Sequence, residues 1–192
     1  MALLTLVRPR TGGVFLGCLL TLVSANVVRG QAPQSGEKAV KAAFLYNFTK
    51  FVEWPQSAFS DASAPFRVCV FVDPSFRHDV EEMLTGETIS GRPLRVITPE
   101  PSDVKGCHLA YFGAGDADRR APVLAAMRGV PILTVGEGAH FLQQGGLISF
   151  VLEDNRVRFD VNKSAVDRAG LTVSSKLLRV ARNVEDGVRY YP

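Results

Sequence analysis

The chain has 192 residues, with 22 lysines and arginines against 19 aspartates and glutamates, so its formal net charge is +3. The first 32 residues carry three arginines and no acidic residue, which leaves the remainder neutral, with 19 residues of each sign. This balance disfavours a nucleic-acid-binding protein, which would need a basic face.

The N-terminal segment has the pattern of a secretory signal peptide. Arg8 and Arg10 precede an apolar run, Val14–Val23, of the length expected for a signal-peptide core. Small residues suited to a signal peptidase follow, and cleavage is expected after Ala25 or after Ala32. The apolar stretch is shorter than the roughly 20 residues needed to span a bilayer, so an uncleaved anchor is disfavoured.

We expect residues 1–32 to be signal peptide and leader, 37–184 to form a single domain and 185–192 to form a frayed tail.

Export from the cytoplasm determines how the cysteines are interpreted. Two cysteines remain after cleavage, Cys69 and Cys107, and an even pair outside the cytoplasm predicts one structural disulfide. The alternatives are two reduced thiols or a redox-active pair, although the CxxC spacing typical of redox-active cysteines is missing.

An amphipathic helix is predicted over residues 37–52, where apolar side chains recur at steps of three and four. The apolar stripe contains Val40, Ala43, Phe44, Phe48 and Phe51. Lys41 is placed on the opposite, solvated side, and Trp54 followed by Pro55 ends the helix. The stripe is expected to line the core, whereas Tyr46 and Trp54, which lie off it, would be exposed anchors for a partner.

Short apolar runs alternate with helical segments through the middle of the chain. Strands are predicted at 66–73, 94–98, 108–113 and 130–135, and helices from an Asp73 cap to Gly86, at 121–128 and at 139–144. This alternation is typical of a mostly parallel sheet that carries helices on both faces.

The last third of the chain begins with a predicted hairpin. Two apolar runs, 147–153 and 157–161, are joined by Asp154 and Asn155, a favourable pair for a tight turn. Helices are predicted at 164–169 and 174–183. The expected fold class is therefore an α/β protein, a three-layer α/β/α sandwich with a mostly parallel sheet and an appended antiparallel hairpin.

Motifs that would carry chemistry are weak throughout the chain. The segment Gly113–Asp118 lacks the third glycine of a dinucleotide-binding loop and is interpreted as a turn. His78 and Glu82 share a helix face, but zinc takes three or four protein ligands. Ser174, which precedes an apolar helical run, is interpreted as an N-cap. We therefore assign no catalytic, metal or cofactor-binding residue and expect a protein that is not an enzyme.

Several segments together resemble one family. They are KAAFLYNFTKFVEWP (41–55), the cysteine-bearing strand, GVPILTVGE (129–137), GGLISFVLEDNRVRFDVN (145–162) and GLTVSSKLLRVA (170–181). In this order they resemble the YfiR family of periplasmic proteins. The resemblance covers residues 37–184.

The resemblance implies a non-catalytic periplasmic regulator that binds the periplasmic sensor domain of an inner-membrane diguanylate cyclase and represses the enzyme. An outer-membrane lipoprotein would capture the regulator, release the cyclase, raise cyclic di-GMP and promote biofilm growth. Cys69 and Cys107 match the first cysteine pair of the family. A second pair, which some members carry near 137–150, is missing from this chain.

The docking surface is expected in the last third of the chain, where the hairpin meets two short helices. The residues assigned to it are Phe159, Asn162, Asp167, Leu171, Ser174 and Leu178. One alternative function is a periplasmic small-molecule-binding module, and another is a thiol oxidoreductase. The sequence leaves homodimerisation and the identity of the partners open, and it indicates neither a cofactor nor a nucleic-acid partner.

Overall fold

The computed structural model describes residues 32–71, 74–99, 104–115, 117–138 and 140–186. Within these ranges, a sheet of eight strands lies between two layers of helices and turns, so the predicted three-layer fold class is confirmed. The expected signal peptide, the helix cap at Asp73 and most of the C-terminal tail lie outside the described residues. None of the helices in these ranges combines the length and the apolar character that a membrane crossing requires.

Five helices and ten strands make up the described part of the chain. The helices are α1 (Ala32–Phe51), α2 (Pro74–Leu84), α3 (Ala117–Ala126), α4 (Lys163–Arg168) and α5 (Ser175–Val180). The strands are β1 (Val52–Glu53), β2 (Phe66–Phe71), β3 (Thr88–Ile89), β4 (Arg92–Ile97), β5 (Leu109–Phe112), β6 (Leu133–Glu137), β7 (Ile148–Glu153), β8 (Arg156–Asn162), β9 (Thr172–Val173) and β10 (Asn183–Glu185). Short 3₁₀ turns occupy Gln56–Ala58 and Val104–Gly106.

The main sheet has the strand order β10-β8-β7-β6-β5-β2-β4-β3. Its centre, β4-β2-β5-β6-β7, is entirely parallel and follows the order of a doubly wound sheet. The predicted hairpin is confirmed, because β8 returns antiparallel to β7. Its turn residues Asp154 and Asn155 have φ values of 48° and 59°, as a tight hairpin turn requires.

Helix α1 packs its aromatic side chains onto the sheet, beside α2 and α5. Phe48 is fully buried, and its ring centroid lies 5.1 Å from that of Phe159 and 5.8 Å from that of Phe150. Burying one such side chain contributes about 2 kcal/mol. The aromatic run is therefore first of all one wall of the core.

The buried face of α1 is nevertheless rotated from the predicted stripe. Val40 is 44% exposed, whereas Lys41, which was placed in solvent, is only 8% exposed. Fully buried Leu45 lies at the centre of the inward face, and Phe44 flanks it. The prediction was wrong because spacing alone fits two neighbouring stripes equally well, and because a lysine can be buried when carboxylates neutralise it.

The interpretation of Tyr46 and Trp54 as exposed anchors was also wrong. Both are half-buried and pack against the core. The Tyr46 hydroxyl donates to the Glu87 carboxylate. The Trp54 Nε1 donates to the His108 carbonyl over 3.0 Å. The indole and the Phe66 ring pack in a T-shaped arrangement, with their centroids 4.8 Å apart. Each side chain buries its ring and places its polar tip on a partner, as buried tyrosine and tryptophan usually do.

The opposite face of the sheet is covered by α3 and by the connection between β6 and β7. A short helix was predicted at 139–144, but the described part of that segment, 140–144, forms turns. The Phe141 ring fills the space, and a Cβ atom at Gly136 or Gly146 would lie 2.3 Å or 2.1 Å from it. The Gly146 amide donates to the Phe141 carbonyl over 3.0 Å. The chain folds back around the ring, so a helix cannot continue.

The end of the described chain also differs from the prediction. A helix was predicted over 174–183, but α5 ends at Val180 and the chain joins the sheet as β10, parallel to β8. The Arg182 amide donates to the Phe159 carbonyl over 2.8 Å, and its guanidinium pairs with Asp160. These interactions with β8 draw the chain out of the helix, and they include Glu185, which was assigned to the tail.

The expected disulfide joins Cys69 to Cys107, with their Cα atoms 5.8 Å apart. Cys69 lies in β2, and Cys107 lies between a 3₁₀ turn and β5. Both are buried on the sheet face that α3 covers. The bond therefore fixes the start of β5 to the neighbouring strand.

Candidate functional site

Two of the six predicted docking residues are helix caps. The Asn162 carboxamide oxygen accepts from the Ala165 amide over 2.9 Å and begins α4. The Ser174 hydroxyl accepts from the Leu177 amide over 3.4 Å and begins α5, which confirms the predicted cap. Both side chains satisfy backbone donors in the first turn of a helix. These two side chains therefore form their hydrogen bonds within the domain.

Two other predicted docking residues are buried in the core. Phe159 is 1% exposed, with its ring centroid 5.5 Å from that of Phe44, and Leu171 is 3% exposed between α4 and β9. Because both side chains are buried, they can only support a surface from beneath. Asp167 is exposed and pairs with Lys163 one helical turn away, at 2.5 Å. Leu178 is half-buried against the core.

The structure thus brings the six residues to one region without making them one continuous surface. We use the name α4–α5 surface for a set of side chains on and between these two helices. The set comprises the exposed Asp167, Thr172, Lys176, Arg179 and Val180 and the half-buried Leu178. Val180 is 60% exposed, which is high for a valine in a short amphipathic helix. An exposed apolar side chain surrounded by charges has the composition of a small protein-binding surface.

A groove runs along the opposite side of the same region. The end of α3, the turn before β7, α4 and β10 form its walls. Its lining is mixed, with buried apolar side chains such as Leu142 and Leu147 beside polar Asn162. Asn162 is the one predicted docking residue in this groove. The charged side chains that line it are Arg128, Arg168, Glu185 and Asp186.

A buried ionic network closes the carboxyl ends of β5 and β6. Lys41 from α1 pairs with Glu137 at 2.8 Å and with Glu37 at 2.5 Å. The Tyr111 hydroxyl donates to the other carboxylate oxygen of Glu137. Arg120 from α3 donates to the Glu137 carbonyl over 3.4 Å. Ligands of doubly wound sheets bind at this end, but here the chain's own side chains occupy it.

The pKa directions describe a network that is stable in its charged form. Burial opposes the charge on Lys41, but hydrogen bonds to Glu137 and Glu37 outweigh burial and raise the Lys41 pKa above its ordinary 10.5. Burial lowers the pKa of Arg120, against the attraction of Glu137. Lys41 therefore holds its proton at neutral pH and cannot act as a general base. The network positions α1 over the sheet.

His108 is held neutral at the other end of the sheet. Its Nδ1 accepts from the Arg67 amide over 3.0 Å, and its Nε2 lies 3.1 Å from the Ala58 carbonyl, to which it donates. Its ring stacks on Phe59, with the centroids 4.4 Å apart. Burial is the main reason that the His108 pKa is lowered below 6.5, and the positive charges of Arg67 and Arg92 act in the same direction.

The described residues offer no group of three or more histidine, cysteine, aspartate or glutamate side chains that could hold a metal ion. His78 and Glu82 are both exposed on α2. Gly113 belongs to a loop, and its carbonyl accepts from Arg120 over 3.3 Å. In these parts of the chain every fully buried side-chain nitrogen and oxygen has a hydrogen-bond partner.

Sequence reasoning missed the network residues Lys41 and Glu137, and it missed the structural role of His108. One signal was available, because Glu37 and Lys41 are spaced for an intrahelical ion pair. Glu137 gave no local signal, since it meets Lys41 only after β6 has been placed beneath α1. His108 likewise depends on the Trp54–Phe59 segment, which is distant in sequence.

Comparisons with known proteins give one family and two structural neighbours. A family model described as YfiR/HmsC-like matches residues 38–182. A conserved domain protein from Vibrio cholerae O1 biovar El Tor strain N16961 is similar at 12% identity and a TM-score of 0.47, covering 62% of this chain and 54% of that one. The ABC domain in complex with L-Trp from Streptococcus pneumonia is similar at 11% identity and a TM-score of 0.45. That match covers 62% of this chain and 55% of the other. The chain spans about half the length of each neighbour.

Proposed function

The chain belongs to the YfiR/HmsC-like family of periplasmic, non-catalytic regulators of cyclic di-GMP signalling, and from this premise we propose that it represses an inner-membrane diguanylate cyclase by binding its periplasmic sensor domain. The family match over residues 38–182, nearly the whole described domain, carries this proposal. A regulator of this kind acts only if it binds the inactive state of the cyclase more tightly than the active state.

Release of the cyclase completes the proposed cycle. An outer-membrane lipoprotein captures the regulator, and the free cyclase then raises cyclic di-GMP. Each capture step is a competition for one protein surface, so the regulator needs no catalytic group.

We place the cyclase contact on the α4–α5 surface. Val180 supplies its exposed apolar side chain, Lys176 lies one turn earlier on the same face of α5, and Arg179 and Asp167 supply further charges. Buried apolar anchors with a charged rim dominate the energetics of protein interfaces. Phe159 and Leu171 support this surface from the core beneath it.

The decisive experiment measures cyclase activity in vesicles that contain the full-length cyclase, with the purified mature chain added. We expect Val180→Asp to weaken inhibition at least tenfold, since it places a charge at the centre of the contact. Val40→Asp is the matched control, because Val40 is an exposed valine on another helix. Its inhibition should equal that of the wild type.

Two negative outcomes have different meanings. Equal inhibition by the Val180→Asp and Val40→Asp proteins would move the contact away from the α4–α5 surface and leave the function intact. Wild-type protein that neither binds nor inhibits its cognate cyclase would overturn the function itself. In that case capture by the lipoprotein would have no regulatory consequence.

The groove beside α4 favours a second candidate function, a periplasmic small-molecule sensor. Its apolar side chains, together with two arginines and the acidic residues Glu185 and Asp186, suit a small molecule with apolar and charged parts. A ligand that binds the folded state raises the melting temperature in a concentration-dependent way. We expect Arg168→Ala to abolish such a shift and Arg158→Ala, on the outer part of β8, to leave it unchanged. A metabolite panel that leaves the melting temperature constant would remove this candidate.

A further inference from the structure

Three exposed cations lie around the amino end of β2, beside the neighbouring strand β4. Arg67 and Arg95 are direct register partners on these adjacent parallel strands, about 4.8 Å apart. Lys105 lies in the 3₁₀ turn that precedes β5. All three are exposed, and Arg67 shares a sheet face with Cys69, two residues further along β2.

Gly106 and the disulfide bring the lysine to the two arginines. A Cβ atom at Gly106 would lie 2.7 Å from the Nη1 atom of Arg67, so this guanidinium rests against bare backbone beside Lys105. Cys107 follows immediately and is bonded to Cys69 on β2. A sheet and a covalent bond therefore fix the backbone positions from which the three cationic side chains extend.

No carboxylate in the described part of the chain forms an ion pair with these cations. Arg67, Arg95 and Lys105 take part in none of its ion pairs, in contrast to Lys41, Lys163 and Arg182. Like charges directly opposite each other on neighbouring strands destabilise a sheet. Packing does not require arginine at these exposed positions. An anion from outside the chain would relieve the repulsion.

We propose that Arg67, Arg95 and Lys105 form a binding site for a phosphate-class dianion, either a soluble phosphate ester or a phospholipid headgroup. Two planar guanidinium forks and one ammonium group match the several oxygens and the double charge of a phosphate monoester. A single carboxylate has two oxygens and engages only one fork well. This site is independent of the proposed cyclase contact, which lies at the other end of the chain.

The first arm of the test is an NMR titration of the full mature chain with inorganic phosphate, compared with sodium chloride at matched ionic strength. We expect saturable shifts of the Arg67, Arg95 and Lys105 amides with phosphate. Arg67→Gln and Arg95→Gln should each weaken binding roughly tenfold, the value of one lost charged hydrogen bond. Arg158→Gln, an exposed strand position on β8, is the matched control and should bind as the wild type does.

The second arm measures the melting temperature with and without phosphate. Three cations that were merely solvated would not give the changes expected here. In phosphate-free buffer, Arg67→Gln or Arg95→Gln should raise the melting temperature, because the facing charge is removed. The same variants should lose the stabilisation that phosphate gives to the wild type. A lower melting temperature in phosphate-free buffer, for both variants, would contradict the proposed repulsion.

The third arm distinguishes the two sources of phosphate. Co-sedimentation with vesicles of phosphatidic acid in phosphatidylcholine, lost in Arg67→Gln, would identify a lipid headgroup. Phosphate binding without vesicle binding would identify a soluble ester. Equal responses to phosphate and chloride, together with no vesicle binding, would overturn the proposal. None of these outcomes depends on whether the cyclase is inhibited.

Discussion

Opening the Cys69–Cys107 disulfide should lower the free energy of unfolding by about 4 kcal/mol. The bond joins residues separated by 38 positions, and the chain-entropy model gives about 4 kcal/mol at 25 °C for a loop of that length. A domain of this size has a total stability of about 5–15 kcal/mol. The cross-link therefore supplies a large share of the total.

The loop closed by the bond contains α2, β3 and β4, which form one edge of the sheet. Without the bond, β4 is held by its ladder to β2 and by the buried side chains of α2, among them Phe76 and Val80. We therefore expect this edge to open first in the reduced protein. Hydrogen exchange should accelerate in β4 more than in β6, which lies on the other side of β5.

The assay is urea unfolding of the oxidised and reduced wild type at one pH. With a slope of about 2 kcal/mol/M, the midpoint should fall by about 2 M on reduction. Reduction keeps both sulfur atoms, so no cavity contributes. Cys69→Ala and the double variant Cys69→Ala/Cys107→Ala should have similar stabilities, because either one removes the cross-link. A midpoint shift below about 0.5 M would refute the entropic reasoning.

Three further predictions concern single side chains. Phe48→Ala should cost about 4 kcal/mol in thermal or urea unfolding, because it empties a fully buried aromatic site. Glu137→Ala should cost about 2 kcal/mol, because it leaves buried Lys41 with Glu37 as its remaining ion-pair partner, and Lys41→Met should restore part of this loss in the double variant. His108 has a lowered pKa, so its contribution to stability is complete above about pH 6.5 and is lost as the pH falls below that value. His108→Gln should remove that part of the pH dependence, and an unchanged profile would contradict the assignment.

The sheet was predictable because each of its central strands carries its own local signal. β2, β4, β5 and β6 are short apolar runs bounded by polar or turn residues, and the hairpin has Asp154 and Asn155 at its turn. The short strands β1, β3 and β9, of two residues each, and β10 carry no such signal. They exist because tertiary contacts bring distant segments together: β1 and β9 pair with each other, and β3 and β10 add to the edges of the main sheet.

The candidate site was less predictable because exposure is a property of the whole fold. Phe159 and Leu171 lie in segments that form a surface region, yet both side chains point into the core. The exposure of Val180 was not predicted, because a valine in an apolar helical run is expected to face inward. Likewise, the pairing of Arg67 with Arg95 follows from the register of two strands that are separated in sequence by all of α2.

The ring of Phe141 has an evolutionary consequence. It occupies a space bounded by Gly136 and Gly146, neither of which can gain a methyl group while the ring is there. These three positions should therefore covary among homologous sequences. A homologue with alanine or a larger residue at either glycine position should carry a smaller residue in place of the phenylalanine, and its link between β6 and β7 is then free to become the helix that is absent here.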